Sequence, residues 1–507
     1  MSSTLLVRRF ARVTEAPNAI PRLRRFLIDL AVSGRLGDDP DEPISAGWPY
    51  APLGELIAFS YGKGLAPADR AAEGPVAVYG SNGVVARTHT ALAEAPSIIV
   101  GRKGSAGALR IADEPSWTTD VAYYIEPPSY FNIRFLFLAL QSLRLESLGK
   151  GVKPGLSRSD TYPLLLPHPP LPDQCRMVAQ VDGLMALCDE LESVRIEREA
   201  RRDELRTTSL RRLVAADASN EDARFFLRHS PRMITMPAHV TGIRQAILDL
   251  AVRGRLVPQD PQDEPAGELL NQVRALADSP PSRAVNSDGT VETFLKVPVG
   301  WVSARVSQLF RVTGGIQKQP KRTPRENAWP YVGVSNVQRG RLDLRTVARF
   351  ELLPGELERI RLEPGDLLVV EGNGSPTEIG RCARWGGEIA DCVHQNHIIR
   401  VRPLLTDLDR FALLYLNSPL GMATMRELAI TTAGLYSLSV GKIQRITMPL
   451  PPLAEQHRIV AKVDELLAVC DELDLSLANE QLQRARLLEA LLEDAVPERE
   501  LELLAAR

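Results

Sequence analysis

The stretch PPLPDQCRMVAQVDGLMALCDEL, at residues 169–191, returns as PPLAEQHRIVAKVDELLAVCDEL at residues 451–473, an offset of 282 residues. A second stretch is also repeated, because RRFLIDLAVSGRL at residues 24–36 returns as RQAILDLAVRGRL at residues 244–256, an offset of 220 residues. We refer to residues 24–36 and 244–256 as the opening segments, and to residues 169–191 and 451–473 as the closing segments. The order of opening segment, variable region and closing segment occurs twice, which predicts one duplicated module and a pseudo-twofold molecule.

The closing segments have the pattern of long amphipathic helices. Each begins with Pro-Pro-Leu and a nearby acidic residue, as helix N-termini prefer, and its apolar residues then recur at spacings of three and four. Since most of each helix surface is polar, the two helices are predicted to pair along matching apolar seams as a coiled-coil spacer. Two unrelated surface helices are the alternative, but these would not need matching seams. The seam residues are Val178, Val181, Met185 and Cys188 in the first copy and Val460, Val463, Leu467 and Cys470 in the second.

The opening segments predict two shorter amphipathic helices. Their apolar residues again recur at spacings of three and four, and Gly34 and Gly254 follow where a helix commonly ends on a left-handed glycine. The scaffold is therefore predicted to contain two short and two long helices, each pair related by the duplication.

The two variable regions share little beyond their first residues. Gly47-Trp48 opens the first and Gly300-Trp301 opens the second, after which the sequences diverge. Both alternate short apolar runs with turns rich in Gly, Asn and Pro, which predicts mixed α/β domains. Strands are predicted at residues 97–100, 121–125, 366–370 and 398–401, helices at residues 133–148 and 408–427, and a polar linker at residues 272–288.

The predicted fold class is α/β (α+β), with two globular mixed α/β domains and long helices between them. The predicted boundaries are 1–47 for an N-terminal helical segment, 48–167 for the first variable domain, 168–257 for a central region with a long helix and the second opening segment, 258–299 for a linker, 300–450 for the second variable domain and 451–507 for a C-terminal long helix.

Composition excludes several classes of protein. The 507 residues are 44% hydrophobic and 24% charged, which is typical of folded domains, and the net charge of -2 excludes a basic footprint over the whole chain. No apolar run approaches the roughly 20 residues that cross a bilayer, so no membrane partner is predicted. Five scattered cysteines without a CxxC pair favour a reducing cytoplasm. The Arg-rich start MSSTLLVRRFARV superficially resembles a transit peptide, although ordinary sequence follows it directly.

Polar and basic residues are concentrated in the loops of both variable regions. The second region, residues 300–450, carries 20 Lys and Arg against 14 Asp and Glu. Lys and Arg neutralise phosphates, and Arg, Lys, Asn and Gln match the donors and acceptors of base edges. Each cluster alone is also consistent with a solvated loop, but the position between duplicated helices favours DNA reading. The candidate DNA-binding residues are Lys63, Ser81, Asn82, Arg102, Lys103 and Lys153, then Gln317, Lys318, Lys321, Arg322, Ser335, Asn336, Asn373, Arg381, Gln395 and Asn396.

With these motifs together, the chain resembles the specificity subunits of Type I restriction–modification systems over nearly its whole length. The motifs that carry the resemblance are ILDLAVRGRLVPQ at residues 247–259, MPLPPLAEQHRIVAKVDELLAVCDEL at 448–473, VYGSNGVV at 78–85 and IIVGRKGSAGAL at 98–109. The resemblance implies two target recognition domains that each read half of a bipartite DNA site, and an antiparallel coiled coil that separates them. One departure is that the first closing segment has Asp173-Gln-Cys175 where the second has Glu455-Gln-His457.

The same resemblance implies a set of partners. Double-stranded DNA, two methyltransferase subunits and two endonuclease/translocase subunits would assemble with this chain in a prokaryotic cytoplasm. S-adenosylmethionine, ATP and magnesium would bind to those subunits, whereas this chain would hold no cofactor, no metal and no catalytic residue. The assembled complex would be a Type I site-specific deoxyribonuclease and an adenine-N6 DNA methyltransferase.

Three other functions compete with this interpretation. An adenine methyltransferase needs an Asn-Pro-Pro-aromatic loop, which the nearest string, Asn417-Ser-Pro-Leu420, does not provide, and the sequence has no GxxxxGK[ST] motif for ATP. A coiled-coil adaptor for proteins fits the long helices, but its binding would lack the steep salt dependence of phosphate contacts. A zinc site is the third, although the spacing matches no common module among Cys382, Cys392, His394 and His397.

Overall fold

The computed structural model describes residues 16–36, 48–71, 73–94, 96–149, 155–276, 297–317, 319, 323–372, 378–432 and 435–493. The chain divides into two compact units, Met1–Arg201 with Asn479–Arg507, and Arg202–Ala478. The elements up to the first long helix are α1 (Ala19–Val32), β1 (Tyr50–Pro52), α2 (Leu53–Leu56), β2 (Ser60–Tyr61), β3 (Val76–Gly80), β4 (Gly83–Thr88), β5 (Ser97–Gly101), β6 (Leu109–Ala112), β7 (Ser116–Thr118), β8 (Ala122–Ile125), α3 (Ile133–Ser142), α4 (Arg158–Thr161), β9 (Leu165–Pro167) and α5 (Leu171–Val214). They are followed by α6 (Asn220–Met233), α7 (Val240–Val252), α8 (Ala266–Leu276), β10 (Val302–Arg305), α9 (Val306–Leu309), β11 (Phe310–Gly314), β12 (Ala328–Val332), β13 (Val337–Gln338), β14 (Arg341–Leu342), β15 (Ala348–Glu351), α10 (Glu356–Ile360), β16 (Leu367–Val370), β17 (Cys382–Arg384), β18 (Val393–His394), β19 (Ile398–Pro403), α11 (Leu408–Asn417), α12 (Pro419–Leu428), β20 (Ile430–Thr432), β21 (Leu435–Ser437), α13 (Val440–Arg445), β22 (Thr447–Leu450) and α14 (Leu453–Glu493).

The two variable domains have the same strand topology although their sequences diverge. The first contains the pair β1-β9 and sheets of order β2-β8-β5-β6 and β4-β3-β7. The second contains the pair β10-β22 and sheets of order β11-β19-β16-β17 and β15-β12-β18. In each domain a single strand pair of these sheets is parallel, β3 with β7 and β12 with β18. The second domain adds the short hairpins β13-β14 and β20-β21. The duplication is therefore retained in the fold of the variable regions as well as in the scaffold.

The two long helices contribute to the core of each unit. In the first unit, Val178, Val181 and Cys188 from the start of α5 share a core with Leu488 from the end of α14. In the second unit, Val460, Val463 and Cys470 from the start of α14 belong to a core against which Leu210 and Leu213 from the end of α5 pack. Within each unit the start of one long helix thus shares a core with the end of the other, as an antiparallel pair requires. Met185 and Leu467 are partly buried at the same seams.

The opening helices end and pack as the duplication predicts. Gly34 and Gly254 follow α1 and α7 with φ of 70° and 65°, the left-handed conformation that glycine adopts without steric cost. One arginine on each of these segments contacts two acidic residues on a long helix of the same unit. The contacts are Arg24 with Asp189 (2.6 Å) and Glu192 (2.7 Å), and Arg244 with Asp471 (2.6 Å) and Asp474 (2.7 Å). The shared geometry shows that the copies have kept their helix packing.

Two predicted helices differ from the observed ones. The helix predicted at residues 408–427 is divided into α11 and α12, because Pro419 has no amide hydrogen and Ser418 before it is extended, with ψ of 159°. The Ser418 hydroxyl accepts a hydrogen bond from the Gly421 amide and so caps α12. The helix predicted at residues 133–148 ends at Ser142, and a short 3-10 turn follows it at Leu145–Leu148.

The predicted linker at residues 258–299 contains a packed helix, which also includes the first residues of the polar stretch predicted at 272–288. Residues 266–276 form α8, which buries Ala266, Leu269, Leu270 and Val273 in the core of the second unit. These apolar residues recur at spacings of three and four within an otherwise polar stretch, which is the pattern of an amphipathic helix. Residues 277–296 lie outside the described residues.

The tryptophans that open the variable regions occupy similar positions but differ in one hydrogen bond. Trp48 packs edge-on against Phe135 and Trp301 edge-on against Phe411, each with an interplanar angle of 84°. The Trp301 indole donates to the buried Glu455 carboxylate at 2.9 Å. The buried Nε1 of Trp48 has no partner among the described residues. The repeat places Asp173, whose side chain is one methylene shorter, at the position of Glu455. The sequence difference between the two closing segments therefore coincides with the lack of an indole hydrogen bond at Trp48 among the described residues.

This difference makes matched Trp→Phe substitutions informative. Trp301→Phe is expected to destabilise its unit by about 2 kcal/mol more than Trp48→Phe destabilises the other, because only Trp301 hydrogen-bonds a buried carboxylate. Urea unfolding of the two variants of the full chain measures the difference. The loss of ring volume is common to both substitutions and cancels, so equal losses would contradict a stabilising role for the Trp301–Glu455 bond.

Candidate nucleic-acid interface

Four chain segments meet at one end of the first variable domain. We refer to them as the first loop edge, which comprises residues 61–63, 79–82, 101–105 and 118–121. Residues 118–121 lie at the centre, because their backbone hydrogen-bonds to each of the other three segments. The bonds join the Lys63 amide to the Thr118 carbonyl (2.8 Å), the Thr119 amide to the Tyr79 carbonyl (2.9 Å) and the Arg102 amide to the Val121 carbonyl (2.9 Å).

The second variable domain brings together the equivalent segments. We refer to these as the second loop edge, which comprises residues 314–317, 332–336, 370–372 and 394–397. Here the turn at residues 394–397 is central. The bonds join the Ile316 amide to the His394 carbonyl (3.0 Å), the Gln395 amide to the Val332 carbonyl (3.0 Å) and the Glu371 amide to the His397 carbonyl (2.9 Å). Each loop edge therefore consists of the ends of matching strands held by the backbone.

The described candidate residues of the first domain all lie on the first loop edge. Lys63, Asn82 and Lys103 are exposed, and Ser81 and Arg102 are partly buried. Within the described residues, none of the three cations on this edge forms an ion pair with a carboxylate. The edge therefore presents free positive charge and polar groups from separate strands, as binding to phosphates and bases requires. Lys153 lies outside the described residues.

Four of the described candidate residues of the second domain lie at the surface of the second loop edge. Gln317 and Ser335 are exposed on the second loop edge, and Gln395 and Asn396 are partly buried there. Gln395 also supports the edge, because its side-chain oxygen accepts from the Val334 amide at 3.4 Å. Lys318, Lys321, Arg322 and Asn373 lie outside the described residues.

Asn336 and Arg381 act inside the second domain. Asn336 is buried; its amide nitrogen donates to the carbonyls of Asp343 and Thr346, each at 2.8 Å, and its oxygen accepts from the Gly333 amide at 2.9 Å. The Arg381 side chain is 14% exposed and donates to the Gln338 side chain and the Val334 carbonyl, both at 3.3 Å. Because the Asn336 amide is fully used and the largely buried Arg381 also pairs with Glu378 at 3.7 Å, we expect both residues to position the second loop edge and not to contact a ligand directly.

The second loop edge rests on a buried histidine. His394 is fully buried; its Nδ1 lies 3.1 Å from the Ile398 carbonyl oxygen, and its Nε2 has no partner among the described residues. Burial, followed by repulsion from Arg400, lowers the pKa of His394 to about 4. The imidazole is therefore neutral at physiological pH, with its Nδ1–H donating to Ile398.

Sequence reasoning missed two residues of the first domain. Tyr61 is 48% exposed on the first loop edge, and the Arg158 guanidinium carbon lies 4.1 Å from the centre of its ring. Arg158 lies 97 positions away in the sequence, within Ser-Arg-Ser-Asp at the start of α4, a context that indicates a helix N-cap and no ligand contact.

The residues that suggested other chemistry have structural roles. Burial raises the pKa of Cys382 and of Cys392 to about 12, so both are thiols at neutral pH. Across the described chain, no three His, Cys, Asp or Glu residues are grouped to hold a metal ion. Asn417 donates to the Cys382 carbonyl at 3.0 Å from inside the core. No helix of the described residues has the length and apolar character to span a membrane.

Comparisons with known proteins agree on a single family. The family model for the "Type I restriction modification DNA specificity domain" matches the chain twice, at residues 46–201 and 298–483. One relative is the "Type I restriction enzyme EcoEI specificity subunit" of Escherichia coli, 26% identical over 79% of this chain and 69% of the relative. Another is the "Type I restriction enzyme EcoAI specificity subunit" of Escherichia coli, 23% identical over 72% of this chain and 64% of the relative.

A solved structure described as "Structural basis underlying complex assembly and conformational transition of the type I R-M system" has a similar fold. It aligns with a TM-score of 0.50 and 17% identity, covering 89% of this chain and 97% of that one.

Proposed function

Since this chain belongs to the family of Type I restriction modification DNA specificity proteins, we propose that it reads a bipartite, asymmetric DNA site and directs methyltransferase and endonuclease/translocase subunits to that site. Residues 48–167 read one half of the site and residues 300–450 read the other. The observation that carries the proposal is the pair of loop edges, which have the same backbone framework but different polar side chains. Two surfaces that share a backbone framework but differ in their polar side chains are expected when duplicated domains recognise different DNA sequences.

The catalysis belongs to the partners in this proposal. Two methyltransferase subunits bind the helices of the opening and closing segments and methylate adenine with S-adenosylmethionine, and two endonuclease/translocase subunits use ATP and magnesium. This chain contributes geometry and sequence recognition in the cytoplasm of a prokaryote. The neutral buried thiols and the structural use of Asn417 support a role without its own chemistry.

Mapping methylated adenines in the host genome tests the proposal. We expect a bipartite motif in the intact host, its loss when this gene is deleted, and its return when the gene is restored on a plasmid. The restored strain controls for effects of the deletion on neighbouring genes. A bipartite motif that persists after the deletion would contradict the proposed function.

A further inference from the structure

Two guanidinium groups share one exposed aromatic ring on the first loop edge. The guanidinium carbons of Arg102 and Arg158 lie 5.0 Å and 4.1 Å from the centre of the Tyr61 ring. Tyr61 packs against the buried Tyr123 with ring centroids 5.0 Å apart, and this contact holds the ring in place. Cation–π attraction retains each arginine near the ring, but it does not neutralise either charge.

The two arginines are anchored differently. Arg158 points inward, because it donates through Nη2 to the Phe59 carbonyl and its buried Nε has no partner within the part of the chain that the structure describes. Arg102 donates through Nη1 to the Asp120 carbonyl at 3.0 Å, and its guanidinium also acts on the Tyr123 side chain, 5.8 Å from the centre of that ring. Because a guanidinium carries five N–H donors, Arg102 retains donors for a ligand while two aromatic side chains and a carbonyl hold its plane. No carboxylate of the described chain forms an ion pair with either arginine.

The second domain lacks this cluster at the equivalent place. The offset of 253 residues that relates Trp48 to Trp301 places Gly314 on β11 where Tyr61 lies on β2. The offset of 282 residues that relates the closing segments places Val440 where Arg158 lies. A Cβ on Gly314 would lie 4.0 Å from a Val440 methyl group, so the two positions face each other in both domains. The shared framework therefore carries a cationic and aromatic cluster in one domain and small or apolar residues in the other.

We propose that Arg102 reads a guanine in the half-site bound by the first domain, with Tyr61 and Arg158 as positioning residues. This inference rests on the proposed function. Two donors on one edge of a planar guanidinium match the O6 and N7 acceptors of guanine, and ring and carbonyl contacts fix the plane before binding. A phosphate contact would need charge but no fixed plane, and exposed Lys63 and Lys103 beside the cluster provide that charge.

Methylome mapping of an Arg102→Lys strain tests the proposal. Lysine keeps the charge but cannot make the paired contact, so one guanine of the first half-site is expected to become degenerate. The discrimination at that position should fall roughly tenfold or more. The second half of the motif should be unchanged, which also shows that the variant folds and assembles. The first half-site is the one that survives exchange of residues 300–450.

Two further variants separate the roles within the cluster. Arg158→Val, which introduces the residue of the second domain, is expected to relax the same position as Arg102→Lys, because it acts through Arg102. Lys103→Ala is expected to reduce methylation of all sites together without changing the motif. A first half-site without any G·C pair, or an Arg102→Lys motif identical to the wild type, would overturn the proposal. Either result would leave the proposed function intact, because that requires only a gene-dependent motif.

Discussion

Exchange of residues 300–450 for the corresponding region of a relative with a different target is expected to change one half of the methylated site and leave the other half unaltered. The ends of this region are neighbours in space, because β10 pairs with β22 and Val302 lies opposite Leu450. Both ends of a graft therefore lie in one strand pair, and the sequence of the scaffold helices is unchanged. The effect should be complete: full loss of methylation at the original site and full gain at a hybrid one.

The first domain offers a matched exchange. Residues 48–167 begin and end at the pair β1-β9, where Tyr50 lies opposite Pro167. Grafting this region should change the other half of the site, and both grafts together should change both halves. Mapping of methylated adenines measures all three chimeras. A single graft that alters both halves, or a graft that methylates normally without altering either, would contradict independent reading by the two domains.

The scaffold could be predicted from the sequence because its signals are local and repeated. The seams of the closing segments follow helical spacing in both copies, and the same residues, such as Val181 and Val463, are buried in the structure. Gly34 and Gly254 fixed the ends of the opening helices through their conformational freedom. A pattern that occurs twice at a constant offset is much stronger than either copy alone.

The variable domains were less accessible to sequence reasoning. Their common strand order depends on pairings between distant segments, such as β3 with β7, which no local pattern encodes. The roles of polar residues depend on neighbours in the same way. Asn336 occurs in a loop sequence typical of contact residues, but two backbone carbonyls and the Gly333 amide use its whole side-chain amide. Arg158 looked like a helix-start residue, and only the fold brings it to Tyr61.

Acidification is expected to destabilise the second unit through His394. The native state keeps this imidazole neutral down to a pKa of about 4, whereas the unfolded chain binds the proton near the ordinary value of about 6.5. Between these values the unfolded state carries more protons, so stability falls as the pH falls. The contribution is fully present above pH 6.5 and fully lost below pH 4. The pKa difference corresponds to about 3 kcal/mol.

His394→Gln isolates this contribution. Glutamine can donate to the Ile398 carbonyl as Nδ1–H does, but it does not titrate, so its unfolding free energy should fall less between pH 7 and pH 4.5. Urea unfolding of both proteins across this range gives the difference in slope, which is independent of any constant loss caused by the substitution. Parallel pH profiles for the two proteins would show that burial of His394 is not the source of the acid sensitivity.

Protonation of His394 is expected to open the second loop edge before the rest of the second unit unfolds. Gln395 and Asn396 follow His394 directly, and their amides bond to the Val332 and Ile316 carbonyls. A proton forced onto the buried ring must be solvated, which requires the turn at residues 394–397 to open. The protection factors of the Gln395 and Asn396 amides, which correct for the slower intrinsic exchange at low pH, should therefore fall on acidification in the wild type and much less in His394→Gln. Protection that is lost equally in both proteins would place the weak point elsewhere in the unit.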